Sequence, residues 1–186
     1  MIFWRRWAEE RAQKARADAF VSALSAEPAP DDVAWLAATA TGGDLDHARW
    51  ELRYARRALG LLSAQRDALD DRTASLVARS LSEFLVHDPA IAPGKLRVVE
   101  RQLNARLSAY GEALANREGA GAEWHLGRAL LEFAGRRDAS EDETVLRGAK
   151  LLIGYLGEAN DALRESFGDA VPPEDPAGQV ARAHRR

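Results

Sequence analysis

The sequence predicts an all-α fold, a single antiparallel bundle of about six or seven helices. Alanine, leucine, arginine and glutamate dominate the chain, and all four are good helix formers. Apolar residues recur three and four positions apart through long segments that proline, glycine and aspartate separate. The 186 residues include no cysteine, which excludes a disulfide framework and cysteine-bound metals. A chain of this length buries a core without such links.

The first predicted helix covers residues 2–24, and Pro28 and Pro30 stop it because proline cannot continue a helix. A short second helix follows, with Asp31 or Asp32 as its N-cap, and Gly42 and Gly43 end it. The apolar side of the first helix is expected to face the core, and its members are Ala12, Ala15, Ala19, Phe20 and Leu24.

The third helix, Asp44 to Arg66, is the longest uninterrupted pattern, and Asp44 is its expected N-cap. Its apolar residues alternate at spacings of three and four, which places them on one stripe. We expect the other helices to pack on this stripe, which comprises Leu45, Ala48, Leu52, Ala55, Leu59 and Leu62.

Four further helices are expected over residues 72–87, 95–116, about 122–134, and from about Ser140 to Phe167. Three glycines lie inside the last helix, where close approach of a neighbouring helix would explain them: Gly148, Gly154 and Gly157. The inner stripe of this helix is expected to have Leu146 and Ile153 beside it, and it comprises Val145, Ala149, Leu152, Leu156 and Leu163. The bundle domain is therefore predicted at 1–167, and a flexible tail rich in proline, aspartate and glycine at 168–186.

Charge and hydropathy limit the classes of partner and the cellular locations that the sequence predicts. The net charge is −3 with 30% charged residues of both signs, which is not the basic footprint of a nucleic-acid binder. No segment reaches the roughly 18 apolar residues of a membrane span. The N-terminal arginines precede no apolar region of the signal-peptide type. These features favour a cytoplasmic protein or one held peripherally on the inner face of the membrane.

Metal and cofactor motifs are weak. Asp44-x-x-His47 occurs once, whereas a helical di-iron site needs two such motifs and further carboxylates. Glu83 and His87 are four residues apart but lack further ligands. We therefore expect no cofactor, no metal and no catalytic residue in the chain.

Cationic and aromatic residues crowd one side of the third helix. Arg49, Arg53 and Arg57 lie four apart, and like charges at that spacing destabilise a helix by about 0.2–0.5 kcal/mol per pair. The ordinary explanation is pairing with acids on neighbouring helices, with cation–π stacking in support. The functional alternative is a docking surface for an acidic partner or an anionic headgroup. The candidate binding residues, named the arginine–aromatic face below, are Arg49, Trp50, Arg53, Tyr54, Arg56 and Arg57.

The chain begins with aromatic residues between arginines, a combination that suits the membrane–water interface. The candidate interface residues are Phe3, Trp4 and Trp7. The alternative is that these rings pack on the bundle while the arginines face water.

The region from Arg49 to Leu163 resembles the ubiquinol–cytochrome c chaperone family, the assembly factors of the cytochrome bc1 complex. The resemblance lies in a helix ending near His87-Asp88-Pro89, the segment Tyr110-Gly-Glu-Ala-Leu114, and the short helix Leu126-Gly-Arg-Ala-Leu-Leu-Glu-Phe133. It implies a non-enzymatic peripheral protein of the inner membrane that helps newly made cytochrome b mature.

The first functional hypothesis is accordingly a non-enzymatic binding or assembly factor, in which a protein partner and membrane contact are expected and nucleic acid is not. Two alternatives stay open. One is a small helical enzyme with an unrecognised carboxylate or metal site. The other is a structural bundle that associates with itself as a homodimer.

Overall fold

The computed structural model describes residues 2–67, 71–116, 121–137 and 142–168, with side chains from Trp7 onward in the first helix. These ranges contain seven α-helices and no strand, which confirms the all-α prediction. The tail predicted at 168–186 lies outside them except for Gly168. The helices are α1 (Ile2–Leu24), α2 (Pro30–Thr39), α3 (Leu45–Asp67), α4 (Asp71–His87), α5 (Leu96–Ala115), α6 (Gly121–Phe133) and α7 (Asp142–Phe167).

Helix α3 is the centre of the bundle, because each of the other six helices contacts it. Every residue from Arg57 to Ala64 is buried, so this half of α3 is covered on all sides. The predicted stripe points inward from Ala48 to Leu62. Leu45 is the exception: it is exposed in the first turn of the helix, ahead of the packed region.

Helix α1 differs from its prediction. Its buried face comprises Ala17, Phe20, Val21 and Leu24, but Ala12, Ala15 and Ala19, which were expected beside them, are exposed. The physical reason is helical periodicity. At about 100° per residue, the Ala12–Ala15–Ala19 series forms a stripe of its own, and the bulkier Phe20 and Leu24 direct the opposite side to the core.

Helices α3 and α2 begin in different ways, the first with a side-chain cap and the second without one. Asp44 caps α3 as predicted, since its Oδ1 accepts backbone hydrogen bonds from Asp46 at 3.0 Å and His47 at 2.9 Å. The prediction for α2 was wrong, because this helix begins at Pro30 after Ala29 and has no side-chain cap. Proline suits the first helical position, where its missing N–H costs no hydrogen bond.

Gly127 of α6 lets the backbones of two helices approach closely. A Cβ atom there would overlap the backbone oxygen of Val145 on α7. Gly148 takes part in the same contact, whereas Gly154 and Gly157 have nothing within 4 Å of an added Cβ. Close packing therefore explains only the first of the three predicted glycines.

The outer side of α7 also departs from the prediction. Leu146 and Ile153 are exposed and do not lie beside an inner stripe. Among the described helices, none has both the length and the apolar character needed to cross a membrane.

Candidate functional site

Each arginine of the arginine–aromatic face has a carboxylate partner. Arg49 pairs with Asp46 one turn earlier on α3, at 2.6 Å. Arg53 binds Glu27 after α1, Arg56 binds Glu158 on α7, and Arg57 binds Asp88 after α4 at 2.8 Å. The arginines therefore do not form one free cationic ladder, since three of them tie α3 to three different parts of the chain.

Aromatic rings accompany these ion pairs. The guanidinium of Arg53 lies 5.0 Å from the ring centre of Trp50, and Trp50 lies 5.5 Å from Tyr54. Arg56 stacks on Tyr155 at 4.9 Å, and Arg57 on Phe84 at 5.4 Å. Stacking on Trp50 was predicted, whereas Tyr54 carries Arg106 of α5 and the rings of Tyr155 and Phe84 were not predicted partners. At partly desolvated sites such stacking contributes about 1 kcal/mol or more per pair.

Exposure separates the four arginines. The side chain of Arg49 is 38% exposed, against 15% for Arg53, 14% for Arg56 and 4% for Arg57. The ordinary explanation placed the acids on neighbouring helices, and Glu158 on α7 is such an acid. Glu27 and Asp88 instead lie just after helices, and Asp46 belongs to α3 itself. Docking of an acidic partner stays a prediction, and Arg49 is the member of the face most accessible to one.

The most buried charges were not among the predicted site residues. Glu51 of α3 and Arg106 of α5 form a two-bonded pair, Nε to Oε2 at 3.0 Å and Nη2 to Oε1 at 2.5 Å. Both side chains are almost fully buried. Gln102 accepts two further hydrogen bonds from Arg106, and the guanidinium lies 4.1 Å from the ring centre of Phe133. Nearly every polar group of this pair is therefore satisfied.

Burial raises the pKa of Glu51, and the bonds from Arg106 oppose that rise. Tyr110 lies within the electrostatic reach of both groups, and its hydroxyl is buried without a hydrogen-bond partner. Burial raises the pKa of this tyrosine far above its usual value. The cluster is a buried polar group within the core, in which the pairing of Glu51 with Arg106 offsets the cost of burying each charge.

The sequence does contain a pattern that indicates the Glu51–Arg106 pair. Arg106 stands between Leu103 and Tyr110 at helical spacing, so it occupies an inward position on α5. Glu51 likewise lies beside the inward Leu52 and Ala48. Opposite charges at inward positions of two strong helices are the pattern that indicates a buried ion pair.

A second buried pair joins Arg57 to Asp88, whose side chains are 4% and 8% exposed. Asp88 also accepts the backbone N–H of Ala90 at 3.0 Å, so it fixes the loop after α4. The Nε and Nη1 atoms of Arg57 are buried without a protein partner. Arg57 therefore depends on Asp88 for its charge balance.

At the N-terminus, Trp7 is 51% exposed and the Arg11 guanidinium lies 4.6 Å from its ring centre. Phe3 and Trp4 belong to α1, but their side chains lie outside the described part. The interfacial prediction for the three residues is therefore open to test at Trp7.

The histidine pairs do not gather ligands. His47 Nε2 lies 3.5 Å from Glu51 Oε1, and His87 Nδ1 lies 2.8 Å from the backbone oxygen of Glu83. Within the described ranges, no three histidine or carboxylate side chains are grouped so that they could hold a metal ion.

Comparison of the chain with protein-family models, curated proteins and solved structures found no match. The resemblance to the cytochrome bc1 assembly factors therefore stays a prediction.

Proposed function

We propose that this protein is a non-enzymatic binding or assembly factor that works at an anionic membrane surface. In this proposal α1 attaches the bundle to the membrane, and the rest of the bundle receives a protein partner. The family resemblance extends the proposal to a subunit of a respiratory complex as that partner.

The observation that carries the proposal is Trp7. A half-exposed indole with an arginine stacked on it presents an apolar body and a cation to the same surroundings. Such pairs suit the interface, where the ring enters the headgroup region and the cation meets anionic lipid. The neighbouring sequence, Phe3-Trp4-Arg5-Arg6, repeats that chemistry in the preceding turn.

Co-sedimentation with vesicles tests the membrane step. We expect wild-type protein to pellet with anionic vesicles and to stay in the supernatant with zwitterionic ones. A Trp4→Ala/Trp7→Ala variant should pellet much less. Leu146→Ala is the matched control, because Leu146 is a large apolar residue of similar exposure on another helix, α7. Equal pelleting of the double variant and wild type would refute the membrane proposal.

Affinity purification from detergent-extracted native membranes tests the partner step. A specific membrane-complex subunit should co-purify with wild type, and Arg49→Glu should reduce its recovery if the arginine–aromatic face takes part. Recovery of the bait alone would count against an assembly role.

A further inference from the structure

Three exposed cations at the start of α5 have no acidic partner. They are Lys95, Arg97 and Arg101, and within the described ranges none of their side chains forms an ion pair or a hydrogen bond. The arginine–aromatic face of α3 differs, because each of its arginines has a carboxylate. Arg97 and Arg101 lie four apart, a spacing at which like charges destabilise a helix. On α5, that cost is not offset by the part of the chain that the structure describes.

Acids near these cations do not neutralise them. Residues 86–105 contain two acids, Asp88 and Glu100. Asp88 is buried against Arg57. Glu100 is partly buried and forms no ion pair with a described residue. The first turn of α5 contains no acid, so its cations also lie at the positive end of the helix dipole.

Exposed apolar residues accompany the cations. Val86 in the last turn of α4 is 60% exposed, and Val98 in the first turn of α5 is 39% exposed. Between them runs the loop 89–93, in which Ile91 packs against the core and Asp88 fixes the start. A fixed loop loses little conformational entropy when a partner binds. The α5 basic surface, as it is named below, comprises Val86, Lys95, Arg97, Val98 and Arg101.

The α5 basic surface lies at the end of the bundle opposite Trp7, because α4 runs parallel to α1. The Glu10 carboxylate lies 3.9 Å from the Arg72 guanidinium near the start of α4. Eight positions later on both helices, Asp18 accepts a hydrogen bond from Ser80. Trp7 is therefore beside the start of α4, whereas the basic surface follows its end, about 24 Å along the helix.

We propose that the α5 basic surface binds an acidic segment of a protein, one that carries apolar residues between its carboxylates. The cations attract the carboxylates, and the two valines supply apolar contact beside them. Residues 86–105 contain no aromatic side chain of the kind that is enriched at membrane interfaces, which favours a protein over lipid. The inference rests on the proposed function for the existence of a protein partner, and it adds the surface and the chemistry of that partner.

A defined acidic peptide tests the surface. The probe is a fluorescein-labelled peptide of four Glu-Glu-Leu repeats, and a Gln-Gln-Leu peptide of the same length is its uncharged control. Fluorescence anisotropy at low salt should show that the full-length protein binds the acidic probe and that added salt weakens this binding. Lys95→Glu/Arg97→Glu/Arg101→Glu should lower the affinity by about tenfold or more, because attraction becomes repulsion at each position.

A charge-matched variant separates the surface from the net charge of the protein. Arg16→Glu/Arg66→Glu/Lys150→Glu reverses three exposed cations that lie on three other helices. It should bind the probe within about twofold of wild type, because scattered surface charges are screened. Val86→Ser/Val98→Ser, which leaves the charge unchanged, should weaken binding by a smaller factor than the α5 triple variant.

Arg97→Glu provides the folding control. It places an acid in the first turn of α5, which the helix dipole favours, so the thermal midpoint should not fall while probe binding weakens. Stability and binding that decrease together would indicate damage to α5 and not loss of a contact, and would count against the inference.

Three results would overturn the inference: no binding of the probe by wild type, equal binding by the α5 triple variant, or an equal loss in the charge-matched variant. Loss of vesicle pelleting in the α5 triple variant, with full pelleting of Trp4→Ala/Trp7→Ala, would assign the surface to lipid instead. The peptide measurement contains no lipid, so its failure is distinct from a failure of the membrane attachment proposed for α1.

Discussion

Helices α1 and α3 differ in which residue types they bury: α3 buries charged residues, whereas α1 exposes apolar ones. The central helix buries Glu51 and Arg57, and each of these charges meets its counterion on a different part of the chain. Helix α1 instead exposes a row of alanines, and its charged side chains from Glu9 to Asp18 are exposed as well. Residue type alone therefore does not decide burial in this bundle. The number of neighbours around a helix decides it, and α3 contacts every other helix.

The largest expected effect concerns a buried charge of the central helix. Asp88→Asn preserves the side-chain shape and the hydrogen bond to Ala90 but removes the counterion of Arg57. Breaking one side of a buried pair costs about 3–5 kcal/mol, so the free energy of unfolding measured in urea should fall by that amount.

Glu27→Gln is the matched control at Arg53, whose partner Glu27 is 63% exposed. This change should cost under about 1 kcal/mol, because exposed ion pairs contribute little. Equal losses in the two variants would contradict the contrast between buried and exposed charge on α3.

The second effect appears in alkaline titration. All three tyrosines of the chain are buried, and burial raises the pKa of each, for Tyr155 to about 12 against the opposing charge of Arg56. Because the folded pKa lies above the unfolded one, the stability contribution is present below pH 10 and is lost as the pH rises toward 12.

Ultraviolet absorbance should therefore show little tyrosinate in native protein at pH 10, and about half ionisation at that pH in denaturant. The thermal midpoint should fall between pH 10 and 12. Native tyrosines that titrate like the denatured chain would show that the core is open to solvent.

The smallest effect is expected on the outer face of α1. Ala15→Gln should change the free energy of unfolding by less than about 0.5 kcal/mol in dilute solution, since the side chain enters water. Ala17→Gln, two residues away on the buried face, should cost about 1–3 kcal/mol because it overfills the core. A large loss at Ala15 would show that this face is covered within one chain.

The sequence was sufficient for the helices because their signals are local. Apolar spacing, proline stops and the Asp44 cap depend on neighbours in the chain, and the predicted bounds of α1 agree with the structure. The orientation of α1 was harder to predict. Alanine fits either side of a helix, so Ala12, Ala15 and Ala19 carried no information about which side meets α3.

The partners in the ion pairs of α3 could not be predicted from the sequence, because they depend on how the helices pack. Arg53 and Arg57 look alike in the sequence, yet one pairs with an exposed acid and the other with a buried one. Their difference depends on where the α1 and α4 ends stand beside α3, which no local pattern encodes. Glu51 and Arg106 are 55 positions apart, and only the packing of α5 on α3 brings them together.

The pair between Glu51 and Arg106 also bears on how α5 can slide along α3. Leucine and alanine contacts resemble one another from turn to turn, so a shift of one turn, about 5.4 Å, would still cover apolar surface. The same shift would separate the Glu51 carboxylate from the Arg106 guanidinium and leave two buried charges without a counterion. We expect this one ion pair to fix the axial register of α5 against α3.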